Sequence, residues 1–454
     1  MRYILLTASL ICSMAAAVMA QQAPPPNTPV SYSLADCINY AYQHQDSVKN
    51  AALDVKSAEY KVKETIATGL PQVNGSISFQ DFLKTPASLA PAGIFEGKPD
   101  FNAPLVTLPF GALKYNNTYS LSASQLLFSG TFFVGLQAVK TFKELSERSL
   151  VRSKIDINVS VTKAYYQVLV SGEQIKLLDA NIAQLKQTLD QTTQQNKQGF
   201  VEKIDVDRLS VQYNNLVTNR DNAQRALVLS SQMLKFQMGM PVDQDLTLTD
   251  KLSDVNITNA APANVNDTSY VQNRIEYKLL QTNITLNQLD VKSKKAAYLP
   301  SVSLNGGFNE VFQENHAKFL YNNAYPSSFI GLGINIPIFS GGQRLNQLRQ
   351  SQISVQKAQN DLYNVKNALG LEASAARINY YNSIQSLNNQ KRSQELAQEV
   401  LRVSKIKYQQ GVGSNIEVTQ AQTDLESADN QYIQALYNAL ISKVDLDKAY
   451  ARIN

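Results

Sequence analysis

The chain has 454 residues, a formal net charge of +5, two cysteines and two histidines. Its lysines and arginines are spread along the sequence and form no dense basic stripe, so we expect no nucleic-acid partner. The few cysteines and histidines are too scattered for a metal site, and no catalytic motif is recognisable, so we expect no metal, no cofactor and no enzymatic activity.

The first elements in chain order are a predicted signal peptide, residues 1–20, and an N-terminal extension, residues 21–33. A basic residue precedes the apolar run Ile4–Val18, and small residues follow it where signal peptidase cleaves. Because Cys12 belongs to this leader, the exported chain keeps only Cys37 and cannot form an intrachain disulfide. No later apolar run reaches the roughly 18 residues of a membrane-spanning helix, which leaves a barrel of strands as the possible route through a bilayer.

The remaining sequence contains an internal duplication. Three signals occur twice in the same order: Leu70–Gly75 and Leu299–Leu304, Leu126–Gly130 and Pro337–Gly341, and Gln198–Val206 and Gln410–Val418. We predict a first repeat over residues 34–250, a connecting segment over 251–266 and a second repeat over 267–450. Each repeat has the pattern helix, strand, loop, strand, very long helix, tight turn, helix.

Four segments alternate apolar residues with small polar ones, which is the period of a β-strand. They begin near Val73, Tyr119, Val302 and Ile330, and the last alternates as far as Ile338. A single strand of this kind more often belongs to the sheet of a soluble protein, with one face on the core and the other exposed to solvent. Four strands of about 10 residues, each with one apolar face, also fit a lipid-facing barrel wall, provided that several chains pool their strands.

Two stretches of nearly seventy residues are predicted to be continuous helices. The first lies between Gly130 and Gly199, lacks proline and carries apolar residues at spacings of three and four, as in a coiled coil: Ile175, Leu178, Ile182, Leu185 and Leu189. Its copy spans residues 343–410. Each helix would reach about 100 Å at 1.5 Å per residue. Their other faces are rich in Gln and Asn, which suits a helix wall packed on two sides or a water-filled lumen.

These features together resemble the TolC family of outer-membrane efflux and secretion channels. The residues that carry the resemblance are the Leu-Pro-x-Val strand openers at Leu70 and Leu299 and the Phe-Ser-Gly junctions at Phe128 and Phe339, within a similarity over residues 34–449. The resemblance implies a mixed α and β fold. Three chains would each give four strands to one twelve-stranded transmembrane barrel, and their long coiled-coil helices would form an α-barrel in the periplasm.

The resemblance also implies a constriction at the second of two helix tips. In the family each tip is marked by a glycine followed six residues later by an acid, and at the second tip these are Gly411 and Glu417. A second family acid, three residues further on, is Gln420 here, and Asp424 lies one turn beyond it on the same helical face. The amide at Gln420 halves the acid count of this ring, which predicts a weaker preference for cations.

The family closes its gate with contacts to the acid of the first tip, which is Asp205 here. They come from a tyrosine, matched by Tyr408, and from an arginine, where this chain has Gly413. The salt-bridge half of this latch is therefore predicted to be missing, with Lys203 or Arg208 as replacement cations. Without the family, an acid in a first helical turn is most simply explained by the helix dipole.

The predicted function is a passive exit duct across the outer membrane. The helix tips, marked by Gly199, Phe200, Gly411 and Val412, are predicted to dock a periplasmic adaptor that couples the duct to an inner-membrane pump. The other implied partners are two further copies of the chain, in a homotrimer, and outer-membrane lipid. Residues 81–117 and 310–328 would be loops at the cell surface.

Two other functions fit parts of the sequence. A soluble periplasmic coiled-coil adaptor or scaffold would explain export and the coiled-coil pattern, but its β-domains would be ordinary sandwiches or barrels instead of isolated strand pairs. An exported hydrolase is disfavoured by the lack of site chemistry.

Overall fold

The computed structural model describes residues 30–92, 102, 104–107, 112–252 and 269–453. The predicted signal peptide, most of the predicted extension and nearly all of the connecting segment lie outside the described residues. Within them the same order of helices and strands occurs twice.

The first half comprises ten elements: β1 (Val30–Tyr32), α1 (Leu34–His44), α2 (Asp46–Ala67), β2 (Gln72–Asp81), β3 (Leu89–Pro91), β4 (Leu105–Thr107), β5 (Tyr115–Ser129), α3 (Gly130–Lys197), α4 (Lys203–Met238) and β6 (Leu246–Leu248). The second half comprises α5 (Ser269–Asn273), α6 (Ile275–Ala296), β7 (Ser301–Glu314), β8 (Tyr325–Asn335), α7 (Gln343–Gln409) and α8 (Asn415–Ala449). A short 3₁₀ turn, Ala317–Phe319, lies between β7 and β8.

The two long helices are as continuous as the sequence predicts, with 68 residues in α3 and 67 in α7. They begin differently. Helix α3 follows β5 without a linker, because Ser129 ends the strand and its hydroxyl accepts a hydrogen bond from the backbone N–H of Phe132 at 3.3 Å. Helix α7 follows β8 after a linker, residues 336–342, that ends in two glycines with positive φ, Gly341 at 57° and Gly342 at 81°.

The four long strands form one antiparallel sheet in the order β2-β5-β7-β8. Its register pairs Ile77 with Tyr119, Leu121 with Phe308, and Leu304 with Leu332. Residues directly opposite each other in a ladder share a face, so the four predicted apolar faces lie on one side of the sheet. This side is largely exposed in the single chain, and β2 and β8 each leave one edge of the sheet unpaired.

The strand ends differ from the sequence prediction. The last strand ends at Asn335 and not at Ile338, because Pro337 has no N–H to donate to a ladder. The predicted surface loops are shorter than expected, since β5 already begins at Tyr115 and β7 continues to Glu314. The sequence analysis also missed two small sheets of three-residue strands, the β1-β6 pair and the β3-β4 hairpin.

The core between the sheet and the helix tips is built around α1. Cys37 and Ala41 of α1 pack against Tyr165 of α3 and against Leu234 and Met238 of α4. Burial raises the pKa of the Cys37 thiol to about 12, so this cysteine behaves as a small apolar group in the core.

A buried arginine joins three helices on the other side of α3. Arg274, at the start of α6, donates to Glu276 at 2.9 Å, to Glu372 of α7 at 3.0 Å and to the backbone carbonyl of Lys448 in α8 at 2.7 Å. Because its charge is both paired and hydrogen-bonded, the burial is compensated. In the described part of the chain, no helix combines the length and apolarity needed to cross a membrane.

Candidate functional site: the helix tips

Each pair of long helices forms a hairpin. We call α3 and α4, with their turn at residues 198–202, the first hairpin, and α7 and α8, with their turn at residues 410–414, the second hairpin. Both turns end the incoming helix in the same way, through a glycine with positive φ, Gly199 at 81° and Gly411 at 74°. Only glycine adopts this conformation without steric strain, so the duplicated glycines have a direct structural explanation.

Both turns are closed by a Schellman motif. The N–H of Phe200 donates to the carbonyl of Gln195 at 2.9 Å, and the N–H of Val412 donates to that of Lys407 at 3.0 Å. In this motif the residue after the glycine commonly packs back onto its own helix. Here the side chains instead project outward, with Phe200 77% exposed and Val412 79% exposed. An apolar side chain at the end of each hairpin is therefore available to a partner.

The acid of the first tip contacts an amide of the second tip. Asn415, the first residue of α8, donates from Nδ2 to Oδ1 of Asp205 at 3.0 Å, and its Nδ2 lies 3.3 Å from the Asp205 backbone oxygen. Arg208 lies one turn along the same helix as Asp205, with a nitrogen 4.0 Å from the carboxylate. One of the two predicted replacement cations is thus beside the acid, but an amide makes the contact between the hairpins.

Tyr408 and Asp205 are not brought together within one chain. The hydroxyl of Tyr408 lies 3.5 Å from Oε1 of Gln195, near the end of α3. Tyr408 also packs at the edge of a core between α7 and α8 formed by Leu401, Val418 and Leu425 with Ala421. The tyrosine therefore connects the two hairpins through a different partner from the one that the resemblance implies.

The three polar residues predicted to line the constriction share one exposed face of α8. Glu417 is in the first turn, where its N–H donates to the capping hydroxyl of Ser414 at 3.2 Å. Gln420 follows one turn later and donates to Asp424 at 2.8 Å. This face therefore carries two carboxylates with an amide between them.

One cation near the second tip has no acidic partner among the described residues. Burial lowers the pKa of the Lys405 amine to about 8, and no carboxylate of the described chain compensates for its desolvation. The described residues also contain no group of three His, Cys, Asp or Glu side chains that could hold a metal ion.

The chain matches the sequence model of the family described as "Outer membrane efflux protein" over residues 37–239 and 272–452. These two segments cover most of the chain, so it belongs to this family, whose members are outer-membrane channel proteins. Among curated relatives, the outer membrane protein TolC of Escherichia coli is 22% identical over 355 residues, which is 74% of this chain and 71% of that protein. The proteases secretion protein PrtF of Dickeya chrysanthemi is 21% identical over 344 residues, 75% of this chain and 74% of the relative.

The solved structures that resemble this one include outer-membrane channels. CusC superimposes with a TM-score of 0.74 at 18% identity and covers 95% of both chains. The open state of the MtrE outer membrane channel of Neisseria gonorrhoeae gives a TM-score of 0.72 at 16% identity, over 92% of this chain and 88% of that one. The mixed α and β fold predicted from the resemblance, with two long helices and a few antiparallel strands in each chain, is confirmed, and so is the outer membrane as the location of this channel protein.

The sequence analysis missed the residues that join the two hairpins. Asn415 is one of them, and Asp429 with its two amide partners, Asn181 and Gln394, is another group. Their signal was present in the sequence as a spacing of three and four residues along α8. A spacing of three and four residues marks one helical face whether its side chains are apolar or polar, and here the polar members make the contacts.

Proposed function

We propose that three copies of this chain form a passive exit duct of a tripartite efflux or secretion system, with a gate at the helix tips and no catalytic turnover. The observation that carries this proposal is the pairing of an open-edged sheet, apolar on one exposed side, with two helical hairpins that end in apolar side chains.

The sheet supports assembly with other copies of the chain. Strands β2 and β8 each leave a row of backbone N–H and C=O groups without a strand partner among the described residues. In the hydrocarbon of a bilayer each such group would be costly, and joining β8 of one subunit to β2 of the next removes both edges. Exposed apolar side chains on one side of the sheet, such as Ile77 and Ile330, then face lipid.

The tips support docking of a periplasmic adaptor. Phe200 and Val412 are apolar, exposed and held by tight turns, so a partner could bury them without reordering the chain. Through that adaptor an inner-membrane pump supplies the energy, while this protein supplies the path.

The gate consists of the residues at which the two hairpins approach each other and the central axis of the proposed trimer. Asp205, held by Asn415 and flanked by Arg208, connects the hairpins together with Tyr408. The exposed face with Glu417, Gln420 and Asp424 lines the constriction in this proposal, and its amide makes the ring less anionic than a ring made of acids alone.

Planar-bilayer conductance of the purified full-length protein tests this proposal. We expect small currents from the unaltered protein and a severalfold rise for the double variant Asp205→Ala and Tyr408→Phe. Asp207→Ala is a matched control, because it removes an exposed acid of the same helix and should leave the current unchanged. If the unaltered protein and the double variant both fail to insert or conduct, the channel proposal is wrong.

A second measurement tests the subunit number and the docking site separately. Native mass spectrometry of the detergent-solubilised protein should give the mass of three chains. Substituting Phe200 and Val412 together by Ser should abolish co-purification of a periplasmic adaptor and leave the trimer mass intact. Retention of the adaptor would contradict the docking site, and any other oligomer would contradict the trimer.

A further inference from the structure

The charged residues of the four long strands are confined to one side and one end of the sheet. These strands are described in full, and their charged residues are three carboxylates, Asp81, Glu310 and Glu314. Asp81 and Glu314 both lie opposite Tyr115 in the register, and Glu310 lies opposite Tyr119. Opposite residues share a face, so all three belong to the apolar side of the sheet. They lie toward the end at which β2 and β7 stop, which we call the loop end.

The loop end of the apolar side also carries a row of aromatic rings. The ring centroids of Tyr119 and Phe312 are 5.8 Å apart, and those of Phe312 and Tyr321, in the loop between β7 and β8, are 5.3 Å apart. The rings of Phe79 and Tyr115 stack at 6.4 Å. Phe79 is 58% exposed and Tyr321 is 59% exposed, so this surface presents open rings beside its carboxylates.

A buried amide lies in the middle of this surface. Asn117 is opposite both Phe79 and Phe312 in the register and is only 3% exposed. Its Nδ2 donates to the hydroxyl of Tyr321 at 2.7 Å, whereas its Oδ1 has no partner among the described residues. A buried acceptor without a donor is costly, so a hydroxyl group that enters between the rings would be bound favourably.

The loop between β7 and β8 is fixed to the sheet at both of its ends. At its start, Oδ1 of Asn315 accepts a hydrogen bond from the backbone N–H of Lys114 at 3.2 Å. Near its other end, Tyr321 is held by Asn117, and the neighbouring Leu320 is 3% exposed. The loop therefore holds the ring of Tyr321 on the apolar side of the sheet.

The polar groups of this surface mainly accept hydrogen bonds. Glu310 has no ion-pair partner in the part of the chain that the structure describes, and a carboxylate only accepts, as does the free oxygen of Asn117. The lysines of the described loops at this end, Lys84, Lys114 and Lys318, no more than balance the three carboxylates. The loop end thus has no surplus of positive charge for a phosphate, and a ligand must bring hydrogen-bond donors.

A sugar ring has the matching chemistry. Its hydroxyls donate hydrogen bonds, and its C–H groups form apolar faces that stack on aromatic rings. In the proposed barrel the apolar side faces lipid, and its loop end lies at the level of the lipid head groups, where aromatic residues form a girdle. A girdle explains the rings but neither the three carboxylates nor the unpartnered amide oxygen.

We propose that the loop end of the apolar side binds the sugar headgroup of a glycolipid in the outer leaflet of the outer membrane. The sugar stacks on the exposed rings, and its hydroxyls donate to Glu310 and to Oδ1 of Asn117. Each chain of the proposed trimer carries one such site. The inference rests on the proposed function, because the apolar side faces lipid only as part of a barrel wall.

Native mass spectrometry of the detergent-solubilised full-length protein, titrated with defined lipids, tests the headgroup chemistry. The probes are deep-rough lipopolysaccharide, digalactosyldiacylglycerol with sugar and no phosphate, phosphatidylglycerol with phosphate and no sugar, and phosphatidylethanolamine with an ammonium group. Both sugar lipids should bind, up to three per trimer and about tenfold more tightly than either phospholipid. Equal affinity for digalactosyldiacylglycerol and a phospholipid, or a preference for the phospholipid, overturns the proposal.

Two substitutions test the residues of the site. Asn117→Ala should lower the affinity for digalactosyldiacylglycerol about tenfold, the factor expected for one lost hydrogen bond. Glu310→Gln keeps the size of the side chain and should lower it severalfold. The matched control is Asn116→Ala, which removes the same amide from the polar side, opposite Gln80 and Gln313. Unchanged binding by both site variants, or an equal loss in the control, would mean that the sugar is not bound at this surface.

The same spectra separate this inference from the proposed function. A three-chain mass without preference for sugar lipids overturns the glycolipid site and leaves the duct intact. A different oligomer that still prefers digalactosyldiacylglycerol, and loses that preference in Asn117→Ala, refutes the trimeric duct and supports the site.

Discussion

Replacing Asp429 should be among the most damaging single changes in the long helices. Asp429→Ala removes the acceptor of two 2.7 Å hydrogen bonds and leaves the amides of Asn181 and Gln394 buried without a partner. At roughly 1.5 to 3 kcal/mol for each bond to a charged group, with partial relaxation of the helices, the loss of stability is about 3 to 5 kcal/mol. Asp429→Asn keeps one acceptor oxygen and should lose about half of that.

Urea denaturation followed by helical circular dichroism measures this loss. With a slope near 3 kcal/mol per molar urea, the midpoint of Asp429→Ala should fall by about 1 M or more. Asp424→Ala is the matched control, since its only described partner is Gln420 on the same exposed helix face, and its midpoint should stay within a few tenths molar. Equal shifts for the two variants, or no difference between Asn and Ala at position 429, would refute the reasoning.

Three other substitutions should change thermal stability in directions set by the structure. Arg274→Met leaves two carboxylates without their buried partner and should lower the melting temperature, whereas Arg402→Met removes only an exposed pair and should not. Lys405→Met should raise the melting temperature at pH 7. The pKa of the Lys405 amine is about 8 in the folded protein and about 10.5 in the unfolded chain, so the unfolded chain binds more protons between these two pH values. The stability of the unaltered protein therefore rises from pH 8 to about pH 10.5, and the variant should lose that rise. Gly239→Ala should be destabilising, because φ is +71° and a Cβ would lie 2.8 Å from backbone atoms of residues 44 and 45, whereas Gly172→Ala in open helix should stabilise by up to about 1 kcal/mol.

Each of these expectations has a clear contrary result. A melting temperature that falls equally for both arginine variants would mean that burial is not the deciding factor. A pH profile unchanged by Lys405→Met would mean that another group controls the alkaline rise. A stabilising Gly239→Ala would contradict the close approach of that glycine to the α1–α2 turn.

The periodic parts of the fold were predictable and the short parts were not. The long helices and the four strands repeat one pattern over many residues, so their signals add up along the chain. The strands β1, β3, β4 and β6 have three residues each, too few for any period, and their pairing depends on distant segments. The end of β8 shows why strand boundaries are harder to predict. The alternation of apolar and small residues continues past Pro337, but the hydrogen-bond ladder of the sheet ends at Asn335.

The candidate site divides in the same way. The two tip glycines could be predicted because a tight turn needs a residue that adopts positive φ, as both do. The acids six residues after them were predicted from the duplicated spacing and from the family resemblance. The partner of Asp205 was not found, because a contact between residues 205 and 415 depends on how two hairpins pack and leaves no local trace. For Asp429, the spacing along α8 would have identified the face, but only the structure identifies which helices supply Asn181 and Gln394.

The different starts of α3 and α7 give the two hairpins different mechanical roles. Strand β5 passes into α3 with no residue between them, so a rotation of the first hairpin about its long axis would be transmitted directly to the sheet. The second hairpin is joined to β8 by the linker that ends in Gly341 and Gly342, and these two glycines can change their backbone angles at little steric cost. A rotation of α7 near the sheet would therefore be absorbed in this linker and would not pass directly to the strand β8.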